Sequence, residues 1–253
     1  MSPLAILGTL RHAGGFPFAA AHLILLGVTV WISRRELPRY AGWLPLAAIP
    51  FLYTELPVLI AGFGGSLHDS TLQRLELAIF GASPAAVWAG KAPWMALSEL
   101  FHFGYVAYYP LIYVPPLVAY LRRQDEVFDR TAAALMAVFG VCFVIFAVYP
   151  VVGPRYLWPA PRGIPDGPLR RLALGIVGAG SAKGTAFPSS HVAVSVVQTA
   201  ITLRWQPRLG VWALVATVLL TAGAVYGGFH YAVDALAGVA VGLVIAAFQL
   251  SRT

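Results

Sequence analysis

The stretch Phe187-Pro188-Ser189-Ser190-His191 decides how this chain is read, because a polar segment rich in Pro and Gly precedes it and an apolar run follows it at once. Pro188 suits the first turn of a helix, where its missing N–H is not needed. Ser189 and Ser190 are residues that helix starts favour. Thirty-nine residues after His191 the arrangement recurs in Gly228-Phe229-His230-Tyr231-Ala232-Val233-Asp234, again a histidine at the mouth of an apolar run. The runs at about 189–203, 209–226 and 231–250 read as three consecutive spans, which brings both histidines back to one face.

Composition agrees with spans rather than a soluble core. Of 253 residues 59% are hydrophobic, mean hydropathy is +0.76, and only 11% are charged, against about 25% in ordinary soluble domains. This is the profile of an integral membrane protein. The formal net charge of +7 could point to nucleic acid, but the arginines fall in short groups between apolar runs and form no binding stripe, so no nucleic-acid partner is expected. Cys142 is the single cysteine, which excludes an intrachain disulfide. No Cys/His set has metal-ligand spacing, so neither metal nor cofactor is expected. The N-terminus lacks the pattern of a cleaved signal.

Upstream, spans are expected at about 16–32, 43–63, 94–120 and 131–149. The third contains Pro110, Pro115 and Pro116 and should kink. Residues 71–80 form an amphipathic patch too short to span, read as a surface helix. Residues 150–186 read as a long polar loop carrying Arg155, Arg162, Arg170, Arg171 and Lys183. Seven spans would put Arg34, Arg35, Arg39, Arg122, Arg123, Arg130, Arg204, Arg208 and Arg252 on one side, the cytoplasmic side by the positive-inside rule. His191, His230 and the basic loop then share the non-cytoplasmic face of the cell membrane. The loop's positive charge has two readings: an anionic ligand, or a long loop that translocates regardless of charge.

His230 and Asp234 stand at i and i+4, one helical turn apart on one face. Asp234 could accept a hydrogen bond from one ring nitrogen and leave the other free and more nucleophilic. The plainer alternative is an interfacial pair that satisfies itself. At the other motif, free N–H groups at the helix start and the hydroxyls of Ser189 and Ser190 could receive a phosphate oxygen; the plainer alternative is a serine cap. Two histidines on one face, preceded by basic residues, favour phosphoryl transfer. One histidine attacks phosphorus, the other protonates the leaving oxygen, and arginines hold the nonbridging oxygens.

These motifs carry a family resemblance. Phe187-Pro188-Ser189-Ser190-His191 looks like the Pro-Ser-Gly-His motif of the type 2 phosphatidic acid phosphatase (PAP2) superfamily, and His230-Tyr231-Ala232-Val233-Asp234 resembles its His-x-x-x-Asp motif. The resemblance covers roughly 150–250. It implies His230 as nucleophile, Asp234 as its orienter, His191 as general acid/base and Ser189 as a phosphate ligand. Ser190 replaces the usual Gly. Gly223 and Ala224 stand where the family has Ser-Arg. The Lys-x6-Arg-Pro motif is absent as such; Arg155 and Arg162 have its spacing, with Gly163 in place of Pro. Gly153-Pro154-Arg155-Tyr156 resembles the Pro-Arg segment of the branch related to inositol phosphorylceramide synthases. Arg155 is therefore favoured as the main phosphate ligand, with Ser190, Arg162 and Lys183 as further candidates.

Glu55, Glu99 and His102 lie inside expected spans, where ionisable groups are costly and usually functional. They are read either as a Glu55–His102 clasp or as head-group contacts. Tyr105, Tyr108 and Tyr109 read as interfacial or packing aromatics. The expectation is a single all-α polytopic membrane domain over 1–253: an extra N-terminal span and turn over 1–42, a six-helix PAP2-like core over 43–253, and about seven spans in all. The resemblance implies an enzyme that hydrolyses a phosphomonoester or diphosphate of a membrane lipid through a phosphohistidine. The alternatives are a lipid head-group phosphotransferase and a non-catalytic lipid-binding or transport protein. A homo-oligomer stays open.

Overall fold

The computed structural model describes residues 38–63, 66–158 and 164–251. Regular structure there is helical, with one isolated bridge between Val151 and Thr185 and no strand among the described residues. The expected first span, with Arg34 and Arg35, lies outside the described residues, as does Arg162.

The expected span at 43–63 is two helices, α1 (Leu44–Thr54) and α2 (Leu56–Gly62), with a 54° bend at their junction. Pro57 in the first turn of α2 removes a donor and opposes a continuous helix through Tyr53. The expected amphipathic helix is α3 (Asp69–Phe80), followed by α4 (Pro84–Lys91). The aromatic span divides into α5 (Met95–Val106) and α6 (Tyr108–Leu121). The break comes at Ala107, because the ring of Pro110 crowds the carbonyl four residues earlier; Pro115 and Pro116 sit inside α6 without ending it. The next helix, α7 (Asp125–Val148), starts a turn and a half before the expected 131, with Asp125 and Glu126 in a first turn that favours acids.

The 150–186 segment is less irregular than its composition predicts. It contains the single turn α8 (Pro154–Leu157) and the amphipathic helix α9 (Pro168–Gly180), which packs on α5. Last come α10 (Ser190–Trp205), α11 (Pro207–Tyr226) and α12 (Ala232–Leu250), close to the expected spans.

Helix α10 is the hub: α6, α7, α11 and α12 all pack on it, and Val192, Val194, Val197 and Ile201 are buried there. Thr199 and Thr217 hydroxyls bond at 2.7 Å across α10 and α11, an interhelical link worth roughly 1 kcal/mol. Small residues let α12 approach closely. A Cβ on Gly238 would lie 2.5 Å from the Ser189 carbonyl oxygen, and one on Gly242 2.8 Å from that of Ala193. On the outside, Trp212, Val218, Leu243, Val244 and Phe248 are exposed. Such a belt is a liability in water and natural in lipid. Helices α7, α11 and α12 are each long and apolar enough to cross a bilayer, and the bent α1–α2 unit adds a fourth crossing if it is one span. The protein is an integral membrane helix bundle.

Candidate active site

The turn from α11 to α12 presents His230. Gly228 adopts φ +71°, a conformation other residues avoid, and reverses the chain just before the histidine. His230 is buried, and its Nδ1 lies 3.0 Å from the carbonyl oxygen of Ala186. A carbonyl can only accept, so Nδ1 carries the hydrogen and Nε2 keeps its lone pair. The expected hydrogen bond to Asp234 is not made: Nδ1 to Oδ2 is 3.6 Å, beyond hydrogen-bond range. The reason is local. Asp234 is the third residue of α12, and its Oδ2 accepts the Tyr231 N–H at 2.9 Å, capping the helix. Asp234 thus gives His230 a fully buried neighbouring carboxylate, and the Ala186 carbonyl fixes the tautomer.

The two motif segments are joined through their backbones. Ser189 N–H donates to the Asp234 carbonyl oxygen at 3.0 Å, and Ala186 N–H donates to that of Val151 at 2.9 Å. The peptide Phe187–Pro188 is cis. His191, in the first turn of α10, faces His230 with ring centroids 5.9 Å apart and planes tilted by 58°. Its ring is flanked by Tyr105 at 5.3 Å and Tyr108 at 4.2 Å. Ser189 is the N-cap of α10, accepting the Val192 N–H at 3.4 Å, and both Ser189 and Ser190 are buried.

Arg155 is aimed by Gly153-Pro154 at the start of α8. Gly153 has φ +89°, and a Cβ there would meet that of Ala186 at 2.9 Å. The guanidinium donates through Nη1 to the Ser181 hydroxyl at 2.8 Å and to the Val177 carbonyl oxygen at 3.1 Å. Lys183 Nζ lies 5.5 Å from the centre of the Tyr156 ring, which Arg155 also approaches.

Residues 70–248 match the model of the PAP2 superfamily. The chain belongs to the PAP2 superfamily. No curated protein matches the sequence. Among solved structures, the first transmembrane PAP2-type phosphatidylglycerolphosphate phosphatase from Bacillus subtilis is similar at 18% identity, over 83% of this chain and 96% of that one, with a TM-score of 0.38.

This PAP2 chain explains its own departures from the family pattern. A side chain at Gly223 would place Cβ 2.2 Å from the Phe101 carbonyl oxygen, and Ala224 is fully buried. The α5–α11 contact leaves no room there for an arginine. Glu99 accepts the backbone N–H groups of Leu169 at 2.9 Å and Arg170 at 3.2 Å, so it caps α9. His102 is buried with Nδ1 2.6 Å from the Ser98 carbonyl oxygen, and meets the rings of Tyr226 and Phe229. Although at i and i+3, Glu99 and His102 thus serve different neighbours. Glu55 sits half-buried at the α1–α2 bend. Among the described residues no group of three or more His, Cys, Asp or Glu could hold a metal ion.

Several supporting residues escape a sequence reading. Asp69 accepts the N–H groups of Val152 at 2.9 Å and Gly153 at 2.8 Å. Glu76 accepts the N–H of Ala232 and the hydroxyl of Ser83. Gln73 donates to the Tyr231 hydroxyl at 2.9 Å, and that hydroxyl donates to Asp69 at 3.3 Å. One face of α3 thus ties the segment leading to Arg155 to the helix start that carries His230 and Asp234. The spacing puts Asp69, Gln73 and Glu76 on a single face with buried Leu72 but does not say what that face meets. A polar face is ordinarily assigned to water, and this one points inward.

Proposed function

We propose that the protein is a membrane lipid phosphatase working through a phosphohistidine. The carrying observation is the hydrogen bond from His230 Nδ1 to the Ala186 carbonyl, which leaves Nε2 unprotonated opposite His191. Nε2 attacks the terminal phosphorus of a lipid phosphate or diphosphate, and the bond from phosphorus to the leaving oxygen breaks. His191, protonated once the anionic phosphate is bound beside it, gives that oxygen its proton. The neutral His191 then takes a proton from water, the hydroxide displaces His230 from phosphorus, and inorganic phosphate leaves. Asp234 offsets the positive charge on His230 during attack. Arg155 holds nonbridging oxygens, with Ser189, Ser190, Lys183 and Arg162 as further ligands.

In this reading the site opens on the non-cytoplasmic face. In support, α10 carries His191 at one end and Arg204 at the other, and the turns with Arg122, Arg123 and Arg208 carry the arginine bias. A second reading has its own support. Gly153-Pro154-Arg155 and the missing arginine near residue 224 resemble the branch related to inositol phosphorylceramide synthases, which would imply an alcohol in place of water as acceptor.

The test is a panel of lipid phosphates incubated with purified protein in detergent, with phosphate release and lipid mass measured in parallel. Free phosphate with a dephosphorylated lipid is expected. A new phosphodiester lipid formed only with an added alcohol would establish the transferase. Neither product, with no acid-labile phosphoenzyme, would overturn both.

A further inference from the structure

A cavity of about 740 Å³ opens beside the candidate site, within the range of small-molecule pockets. Its walls come from α4, α8, α9 and the turn that ends in Phe229, the residue before His230. Three cations line it, Lys91, Arg155 and Arg170, and no carboxylate does among the described residues. They arrive from three separate elements. Arg155 is the residue assigned to the transferred phosphate. Lys91 is exposed and has no ion-pair partner among the described residues. Arg170 spends Nη1 on Asp166 at 2.9 Å, while its Nε is buried with no hydrogen-bond partner among the described residues.

Local explanations account for each cation singly. Lys91 stands in the last turn of α4, where a cation meets the helix dipole favourably. Arg170 pairs with Asp166 one turn away. Neither explains why both converge on the cavity that Arg155 lines. Like charges around one concave space repel, and an anion in the cavity would relieve that repulsion.

We propose that Lys91 and Arg170 form a subsite for a second phosphate of the substrate, next to the phosphate held at Arg155. This rests on the lipid phosphatase reading and narrows it to lipids with a terminal phosphomonoester plus one more phosphate. The second group is either the inner phosphate of a diphosphate or a phosphodiester in the head group.

The experiment compares three lipids with identical acyl chains: phosphatidic acid, diacylglycerol pyrophosphate and phosphatidylglycerol phosphate. Initial rates are taken for the wild type, Lys91→Met, Lys91→Arg and Arg170→Gln. Equilibrium binding is measured in parallel in a His230→Ala background, which needs no turnover. The wild type should prefer one of the two-phosphate lipids to phosphatidic acid by about tenfold or more, the scale of one charge-assisted contact. Lys91→Met should remove most of that preference and change phosphatidic acid less than about twofold; Lys91→Arg should retain it. Which two-phosphate lipid is preferred identifies the diphosphate or the diester. Equal loss on all three lipids, or no wild-type preference, overturns the subsite. Preferential binding that depends on Lys91, without turnover of any lipid, would uphold the subsite and defeat the phosphatase reading.

Discussion

The two histidines are held in opposite ways. His230 is fixed by polar groups: the Ala186 carbonyl on Nδ1 and the Asp234 carboxylate 3.6 Å away. His191 is fixed by shape, its ring lying between Tyr105 and Tyr108, and neither of its nitrogens is hydrogen-bonded among the described residues. A nucleophile must present one lone pair in one tautomer, which a hydrogen bond to the other nitrogen ensures. A proton carrier must be neutral and cationic by turns. Aromatic walls can orient its ring without committing either nitrogen. The difference in support is what the proposed division of labour requires, and substitutions at four positions bear on it.

The largest effect is expected from His230→Ala. Rates should fall by at least about 10⁴-fold, the scale seen when a catalytic triad is disabled. No acid-labile phosphoenzyme should form, measured by trapping with radiolabelled substrate. A trapped phosphoenzyme in His230→Ala and none in His191→Ala would reverse the two roles.

His191→Ala should cost about 10²–10⁴-fold on an alkyl phosphate, the usual worth of general acid catalysis. Most of that should return on a nitrophenyl phosphate, whose leaving group departs without a proton. A deficit equal on both substrates would mean that His191 does not act on the leaving oxygen.

Asp234→Asn sharpens the polar side of the comparison. In a Ser-His-Asp triad the same change costs about 10⁴-fold because the tautomer is lost. Here the Ala186 carbonyl holds the tautomer, and Asn could still accept the Tyr231 N–H. The loss should therefore be well below about 10⁴-fold and fall on kcat more than KM, since only the charge beside His230 is removed. A triad-sized loss, with helix content unchanged by circular dichroism, would show that the carboxylate also sets the tautomer.

How far the sequence discloses this arrangement follows from the same contrast. The last three helices, both histidines and Asp234 were legible because their signals are local: an apolar run, a helix-start residue, an i and i+4 pair. The partner of His230 was not, because the acceptor is a main-chain carbonyl 44 residues away, and any residue type supplies one. Helix α9 was hidden by the Pro, Gly and Arg content around it, although Pro168 at its start is a usual helix-opening residue. Helix α3 is legible as an amphipathic surface helix, but the buried role of its polar face is not. Asp69 and Glu76 are buried acceptors of backbone N–H groups, and nothing in a polar stripe distinguishes solvent from unpaired donors. Tyr105 and Tyr108 read as packing aromatics, and packing is what they do; only the structure reveals that His191 is what they pack against.

That last pair carries the smallest predicted effect. Tyr108 approaches His191 more closely than Tyr105 does, 4.2 Å against 5.3 Å between ring centroids. Aromatic pairs contribute roughly 0.5–1.5 kcal/mol beyond burial, which corresponds to about 2- to 12-fold in rate if the acting geometry of His191 depends on the ring. Tyr108→Leu should therefore slow alkyl phosphate turnover by about that factor. Tyr108→Phe keeps the ring and should stay within about twofold of wild type. The deficit of Tyr108→Leu should vanish on nitrophenyl phosphate, where the proton from His191 is not needed, and this separates an oriented acid from a loosened bundle. Thermal unfolding of both variants in the same detergent gives the control. If Tyr108→Leu loses equally on both substrates and melts lower in proportion, the ring holds the bundle rather than the acid. The contrast between a bonded and a walled histidine would then lose its second half.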